Sequence, residues 1–294
     1  VERAKREMIG FGDRLRAAVA ERGPLCVGID PHPALLAQWG LPDDAAGLRR
    51  FGLTVVEELG GCVAALKPQS AFFERHGARG IAALEDILAA ARQRQVLTVL
   101  DVKRGDIGST MLGYAQAYLG EDSPLRADAV TLSPYLGLGA LQPAFELARA
   151  TGRGVFVLAL TSNPEGASVQ HAGQPPRTVA GTILAGLAEL NAAERAAGAT
   201  WGSCGAVVGA TVGDAAARLG LSLAALHGPY LAPGVGAQGA GAAELRAVFG
   251  AARSHVLASS SRNILAAGPG NLARAARQAA RQAAVALGHN IDHD

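Results

Sequence analysis

The first residues in this chain that could do chemistry are charged side chains placed directly after aliphatic runs. The segment Val99-Leu100-Asp101-Val102-Lys103-Arg104-Gly105-Asp106 passes abruptly from apolar to charged. Asp101 and Lys103 stand two apart, so on an extended backbone their side chains share one face. A lysine held between carboxylates keeps its ammonium form. Such a lysine is a poor Schiff-base nucleophile but a good proton donor to a carbanion. Neighbouring carboxylates would also disfavour a third carboxylate bound beside them. Lys67 follows the run Val63–Leu66 and Asp30 follows Leu25–Ile29, each with a proline next in the chain. The structural alternative is an ion-pair network closing one end of a sheet, with Asp30 as a turn or cap residue. Three consecutive runs ending in Asp, Lys and Asp-x-Lys make unrelated ion pairs the poorer explanation.

Two later segments suit an anion. In Pro233–Ala240 the small residues let backbone N–H groups approach a ligand closely. In Ser259-Ser260-Ser261-Arg262-Asn263 the Arg262 guanidinium offers a charged fork. Ser261 is expected to begin a short helix, which Pro269 and Gly270 separate from the last long one. Metal chemistry finds little support. His289 and His293 are four apart beside Asp292 and Asp294, a helical spacing that can share a metal, but they read as a solvated tail. His32 and His76 follow strand ends without a local partner, and no Ser nucleophile elbow is present. The reading is therefore no metal and no cofactor.

The elements that must position these residues are legible as alternating short apolar runs and helical patterns. Candidate strands are Leu25–Ile29, Val63–Leu66, Val96–Val102, Ala129–Leu132, Val155–Leu160, Ala206–Val208, Tyr230–Ala232 and Val256–Ala258. They are continuously apolar, as expected of parallel strands covered on both faces. Candidate helices are Ala45–Leu59, Gly80–Gln93, Met111–Leu119, Leu141–Ala150, Val179–Ala197, Asp214–Leu219, Ala242–Phe249 and Leu272–Leu287. Asp43 and Asp44 are N-cap candidates for the first. An additional N-terminal helix, Phe11–Glu21, would close the bottom of a barrel. About eight strand–helix repeats predict a single (β/α)₈ TIM barrel over residues 1–294. The alternative, an open doubly wound sheet, would want a Gly-x-Gly-x-x-Gly turn after the first strand, and none is there. In the barrel the charged residues fall at C-terminal strand ends, where such folds place chemistry. The turn-rich stretch Asn163–Arg177 would then be an active-site loop.

Composition narrows the function classes. With 294 residues the chain matches the ~250 typical of an α/β barrel. Apolar residues make up 49% and charged residues 18%, which is globular and not disordered. Net charge is only +2, which offers no broad field for nucleic acid or an anionic membrane. No apolar run reaches the ~20 residues of a membrane span, and Val1–Gly12 lacks the apolar core of a signal peptide. Cys26, Cys62 and Cys204 show no metal or disulfide spacing, so reduced thiols and a cytoplasmic location are expected.

From Asp101-Val102-Lys103-Arg104-Gly105-Asp106 through Ile107 and Thr110 the chain resembles the orotidine 5′-phosphate decarboxylases. Leu25–Pro33, Ala65–Phe73, Thr131–Leu138, Ala159–Gly166 and Ala232–Gly239 resemble the longer bacterial branch of that family. The Asp-x-Lys-x-x-Asp motif alone is shared with related phosphate-binding barrels; the full set is more specific. The resemblance implies conversion of orotidine 5′-phosphate to uridine 5′-phosphate and CO₂, without cofactor or metal, in a homodimer. It implies that Lys103 protonates C6 of the pyrimidine and that Asp101 lies near the departing carboxylate. Asp106 would complete a Lys67–Asp101–Lys103–Asp106 charge chain and, with Thr110, reach the neighbouring subunit's site. Asp30 and Lys67 would bind ribose hydroxyls, and Ser162 the pyrimidine. Gln238, Arg262 and the backbone near Ser261 would hold the phosphate. Many relatives carry Gly where this chain has Ser261. Two rivals remain: a metal-dependent sugar-phosphate aldolase or β-keto acid decarboxylase on the same barrel, and a non-catalytic binder of phosphorylated ligands.

Overall fold

A computed structural model of the chain describes residues 9–235 and 240–289. Eight strands alternate with helices along it: β1 (Leu25–Ile29), β2 (Ala65–Pro68), β3 (Leu97–Arg104), β4 (Ala129–Leu132), β5 (Gly154–Leu160), β6 (Cys204–Val208), β7 (Tyr230–Pro233) and β8 (Val256–Ser260). All pair in parallel with their neighbours, and β8 bonds back to β1, closing the ring. The expected (β/α)₈ barrel is present, and the open sheet is not. The long helices are α1 (Phe11–Arg22), α2 (Ala45–Leu59), α3 (Gly77–Gln93), α4 (Gly108–Leu119), α5 (Gln142–Ala150), α6 (Val179–Ala196), α7 (Ala242–Phe249) and α8 (Leu272–Leu287). The helix expected over Asp214–Leu219 is a single turn, Ala215–Arg218. Of the two cap candidates for α2, Asp44 accepts the Gly47 N–H at 2.8 Å. Asp43 instead pairs with Arg75 and His76.

Two apolar cores follow from the strand geometry. Successive side chains point to opposite faces. Val27, Ile29, Leu66, Leu100, Val130 and Leu132 therefore point outward and pack under the helices. Cys26, Ala65, Val99, Phe156, Leu231 and Leu257 point inward and fill the lower half of the barrel. α1 stoppers that lower end. Its Phe11, Leu15 and Val19 are buried against the inner core, with the Phe11 ring edge-on to Phe156 at 5.9 Å. Gly154 makes room for this helix, since a Cβ there would lie 2.2 Å from the Phe11 ring. Arg14 fixes the helix through Asp128 at 2.6 Å and the Gly152 carbonyl at 2.9 Å. Asp13 accepts the Thr200 and Trp201 N–H groups.

Six of the eight strands differ from their expected bounds, and two of the differences bear on the site. β2 starts at Ala65 and not at Val63, and β3 continues to Arg104. The β3–β4 pairing shifts register between Leu100 and Arg104, and Arg104 then pairs with Leu132. The extension therefore carries a bulge, and charged residues lie on it. The stretch read as a loop over Asn163–Arg177 contains a helical turn, Ala167–Gln170, and ends in a two-rung hairpin of Gly173–Gln174 with Arg177–Thr178.

Candidate active site

Following the inward face of each strand upward leads from the apolar core into a polar cavity of about 490 Å³ at the C-terminal mouth. That volume lies within the range of roughly 300–1,000 Å³ typical of small-molecule sites. On β1 the inward line runs Cys26, Gly28, Asp30; on β2, Ala65, Lys67; on β3, Val99, Asp101, Lys103. On β4 the inward residue at the mouth is Thr131, and on β8 it is Ser259. Leu158, Val207 and Leu231 form an apolar wall at the same level.

The Asp101 carboxylate is the hub. Its Oδ2 accepts from Lys67 Nζ at 2.9 Å and from Gln69 Nε2 at 3.1 Å. Its Oδ1 accepts from Lys103 Nζ at 2.6 Å and from the Thr131 hydroxyl at 2.8 Å. Lys67 and Asp101 are buried, while the Lys103 side chain keeps 46% of its surface open to the cavity. Burial works against the Asp101 anion, but the two ammonium groups and their hydrogen bonds outweigh it and hold the carboxyl at about 2. Burial likewise opposes the charge on Lys67, yet Asp101 and Asp30 outweigh it and raise that ammonium above the ordinary lysine range. Beneath them burial pushes the Cys26 thiol up to about 12. The result is a fixed cluster of two ion pairs on one carboxylate, in which Lys103 is the ammonium more open to the cavity.

Asp30 differs. Its Oδ1 is buried and has no hydrogen-bond partner among the described residues, which leaves an acceptor available to a donor from a ligand. Gly28 permits this placement, because a Cβ there would come within 2.6 Å of Asp30 Oδ2 and 2.8 Å of Ser261 Cβ. The cavity is further lined by Pro233 at the end of β7 with Gly234 and Val235 after it, and by Ser260 at the end of β8 with Ser261, Arg262 and Asn263 after it. A one-turn helix, Arg262–Leu265, does begin after Ser261. Gln238 lies outside the described residues, as does His293.

A protein-family model described as the orotidine 5′-phosphate decarboxylase / HUMPS family matches residues 23–279. The chain belongs to this family. A protein of Salinispora arenicola named orotidine 5′-phosphate decarboxylase is 60% identical over 263 residues, 89% of this chain and 92% of the relative. One of the same name from Streptomyces coelicolor is 58% identical over 88% of this chain and 91% of its own length. The crystal structure of a Streptomyces avermitilis protein assigned as an orotidine 5′-phosphate decarboxylase superposes with a TM-score of 0.90 at 55% identity, covering 98% of this chain and 99% of that one.

Within this orotidine 5′-phosphate decarboxylase family member, the sequence-derived residues fall into two groups. Asp30, Lys67, Asp101, Lys103, Ser162, Ser261 and Arg262 all line one cavity. Asp106 and Thr110 do not line it. Asp106 accepts the N–H of Ile107 at 2.8 Å and makes no ion pair with Lys103, so within one chain the charged line stops at three members. Thr110 is exposed on the first turn of α4. Next to them in the chain stand exposed apolar side chains, Ile107 at 63% and Leu112 at 42%, and the loop after β4 carries two more, Tyr135 at 79% and Leu136 at 54%.

Sequence reasoning missed Thr131, Gln69 and Thr161, and weighed His32 only as a metal ligand. Thr131 is hidden inside the apolar run Ala129–Leu132, and a lone hydroxyl at an inward position was the available signal. His32 lines the cavity with its ring against Phe72, centroids 4.4 Å apart. Thr161 fixes the root of the loop after β5, its N–H bonding Gln170 Oε1 at 2.8 Å. Asn163 is the residue of the turn-rich stretch that reaches the cavity. Among the described residues, no three His, Cys, Asp or Glu side chains converge as a metal centre.

Proposed function

We propose that this protein is a cofactor-independent orotidine 5′-phosphate decarboxylase of pyrimidine nucleotide synthesis, the whole chain forming one catalytic unit in the cytoplasm. The observation that carries the reading is the ionised Lys67–Asp101–Lys103 cluster at the cavity wall, in a chain 60% identical to a protein of that name. In the reaction the bond from C6 to the carboxylate breaks, CO₂ leaves, and the electron pair stays on C6. Lys103 then delivers a proton there. Its ammonium is already oriented by Asp101, so little reorganisation is needed as negative charge develops. Asp101, held ionised, lies close to the departing carboxylate.

The rest of the cavity suits the rest of the nucleotide. Asp30, with its free acceptor, and Lys67 bind ribose hydroxyls. Ser162 contacts the pyrimidine beside the apolar wall. Arg262, the backbone near Ser261, and Gln238 hold the phosphate, whose binding energy is available to the remote reacting carbon. Asp106 and Thr110 act across a homodimer interface in the neighbouring protomer's site. The exposed apolar side chains beside them in the chain supply the surface such an interface requires.

The test is ultraviolet absorbance of orotidine 5′-phosphate incubated with the purified protein, with and without excess EDTA. Loss of the orotate chromophore in both samples is expected. Loss only without EDTA would transfer the site to the metal-dependent rival. No loss in either would leave a binder, or a catalyst for another phosphorylated substrate.

A further inference from the structure

We infer that Thr131 is a positioning residue: its hydroxyl locks the backbone at Lys103 into the left-handed turn that aims the ammonium into the cavity. The inference deepens the decarboxylase reading and rests on it for the role of Lys103.

The hydroxyl of Thr131 has one proton and two lone pairs to spend, and all three are engaged. It donates to Asp101 Oδ1 at 2.8 Å and accepts the N–H groups of Val102 and Lys103, each at 3.0 Å. The residue is 1% exposed, so water does not compete for these bonds. The two amides it receives lie where the β3–β4 ladder loses register. Lys103 there has φ +45°, a conformation disfavoured for a side chain with a Cβ. Left-handed backbone outside glycine persists where the surroundings over-determine it. Thr131 provides one side of that constraint: its two bonds fix the peptide entering Lys103, while the ladder holds Arg104 beside Leu132 on the other side, so the backbone must close between them at Lys103. The same oxygen orders the carboxylate that holds Lys103 Nζ at 2.6 Å. One side chain on β4 thus fixes both the root and the tip of the lysine on β3.

Arg104 lies on the other side of the bulge. It faces away from the cavity, bonding Glu74 at 2.6 Å and the Val102 carbonyl at 3.0 Å. Two adjacent cations thus lie on different sides of the strand, and Lys103 is the one that reaches the cavity.

The test compares Thr131→Val, which keeps the shape and removes the hydroxyl, with Thr131→Ser, which keeps the hydroxyl. For T131V we expect kcat to fall about 100-fold, with uridine 5′-phosphate affinity changed less than about threefold, because Lys103 is needed for proton delivery more than for ground-state binding. The acid limb of kcat should move up by about one pH unit, since Asp101 loses a donor to its anion. T131S should recover most of kcat. A crystal structure of T131V should show Lys103 moved out of the left-handed region. If T131V does not fold, Thr131→Ala takes its place under the same criteria. Wild-type kcat in the folded variant, equal losses of kcat and nucleotide affinity, or no recovery in T131S would overturn the inference. So would a variant structure with Lys103 unmoved. Wild-type protein inert towards orotidine 5′-phosphate would instead overturn the decarboxylase reading, and the variant structure would still decide the role of Thr131.

Discussion

At the scale of single residues, the site is a carboxylate shared by two ammonium groups, and each member has a distinct measurable consequence. In our reading Lys103 bears the reacting proton. Its change to Ala should lower kcat by at least ~10³-fold while leaving the circular dichroism spectrum and denaturation midpoint near wild type, since this side chain is half open to the cavity. Retention of a substantial share of turnover would remove the proton-donor role. Asp101 is a stability determinant as well as a positioning group. Its folded-state pKa of about 2 lies below the ordinary carboxyl value of 3.8. It therefore contributes stability that is fully present above about pH 4 and is lost as pH falls towards 2, of the order of 2 kcal/mol. Urea denaturation of wild type and Asp101→Asn at successive pH values should show their stability difference narrowing across that window. A gap that stays constant down to pH 2 would mean the carboxylate is not held ionised by its lysines.

At the scale of elements, alternation along each strand sorts side chains between a dry lower core and the polar mouth, and α1 completes the lower core. Replacing Phe11 by Ala should cost about 3–5 kcal/mol, read from the denaturant midpoint, because the ring is fully buried against Phe156. The kcat of the folded variant should stay within about twofold of wild type, as the site lies at the other end. The same alternation explains what could be read from sequence. Runs such as Leu25–Ile29 and Ala129–Leu132 stand out because barrel strands are apolar on both faces. Charges at their C-terminal ends then mark the mouth, which is how Asp30, Lys67, Asp101 and Lys103 became candidates together. β3 was read two residues short because Lys103 and Arg104 end its apolar run, although the ladder resumes at Arg104. Thr131 escaped for the opposite reason: threonine is an ordinary strand residue. Only the three-dimensional closure shows that its hydroxyl meets the bulge of the neighbouring strand. The hairpin at Gly173–Thr178 depends on pairing across a turn and leaves no periodic trace.

At the scale of the whole molecule, one chain supplies the cavity and its charged hub but leaves Asp106 and Thr110 outside. Our reading gives them to a second copy. Mixing equal amounts of Lys103→Ala and Asp106→Ala proteins, each nearly inactive, should restore activity to about a quarter of wild type. Half the random dimers are then mixed, and each carries one site with both residues intact. No recovery after exchange of subunits would place Asp106 in its own chain's chemistry or outside the chemistry altogether. The stopper formed by α1 has a further consequence for traffic. With the lower barrel filled by side chains and closed by α1, the cavity among the described residues opens at the C-terminal mouth, through which substrate enters and products leave. A fresh substrate cannot enter until the product nucleotide has left the same cavity. Product inhibition by uridine 5′-phosphate should accordingly be competitive in initial-rate measurements, and a noncompetitive component would mean that the nucleotide also binds a form of the protein already holding substrate.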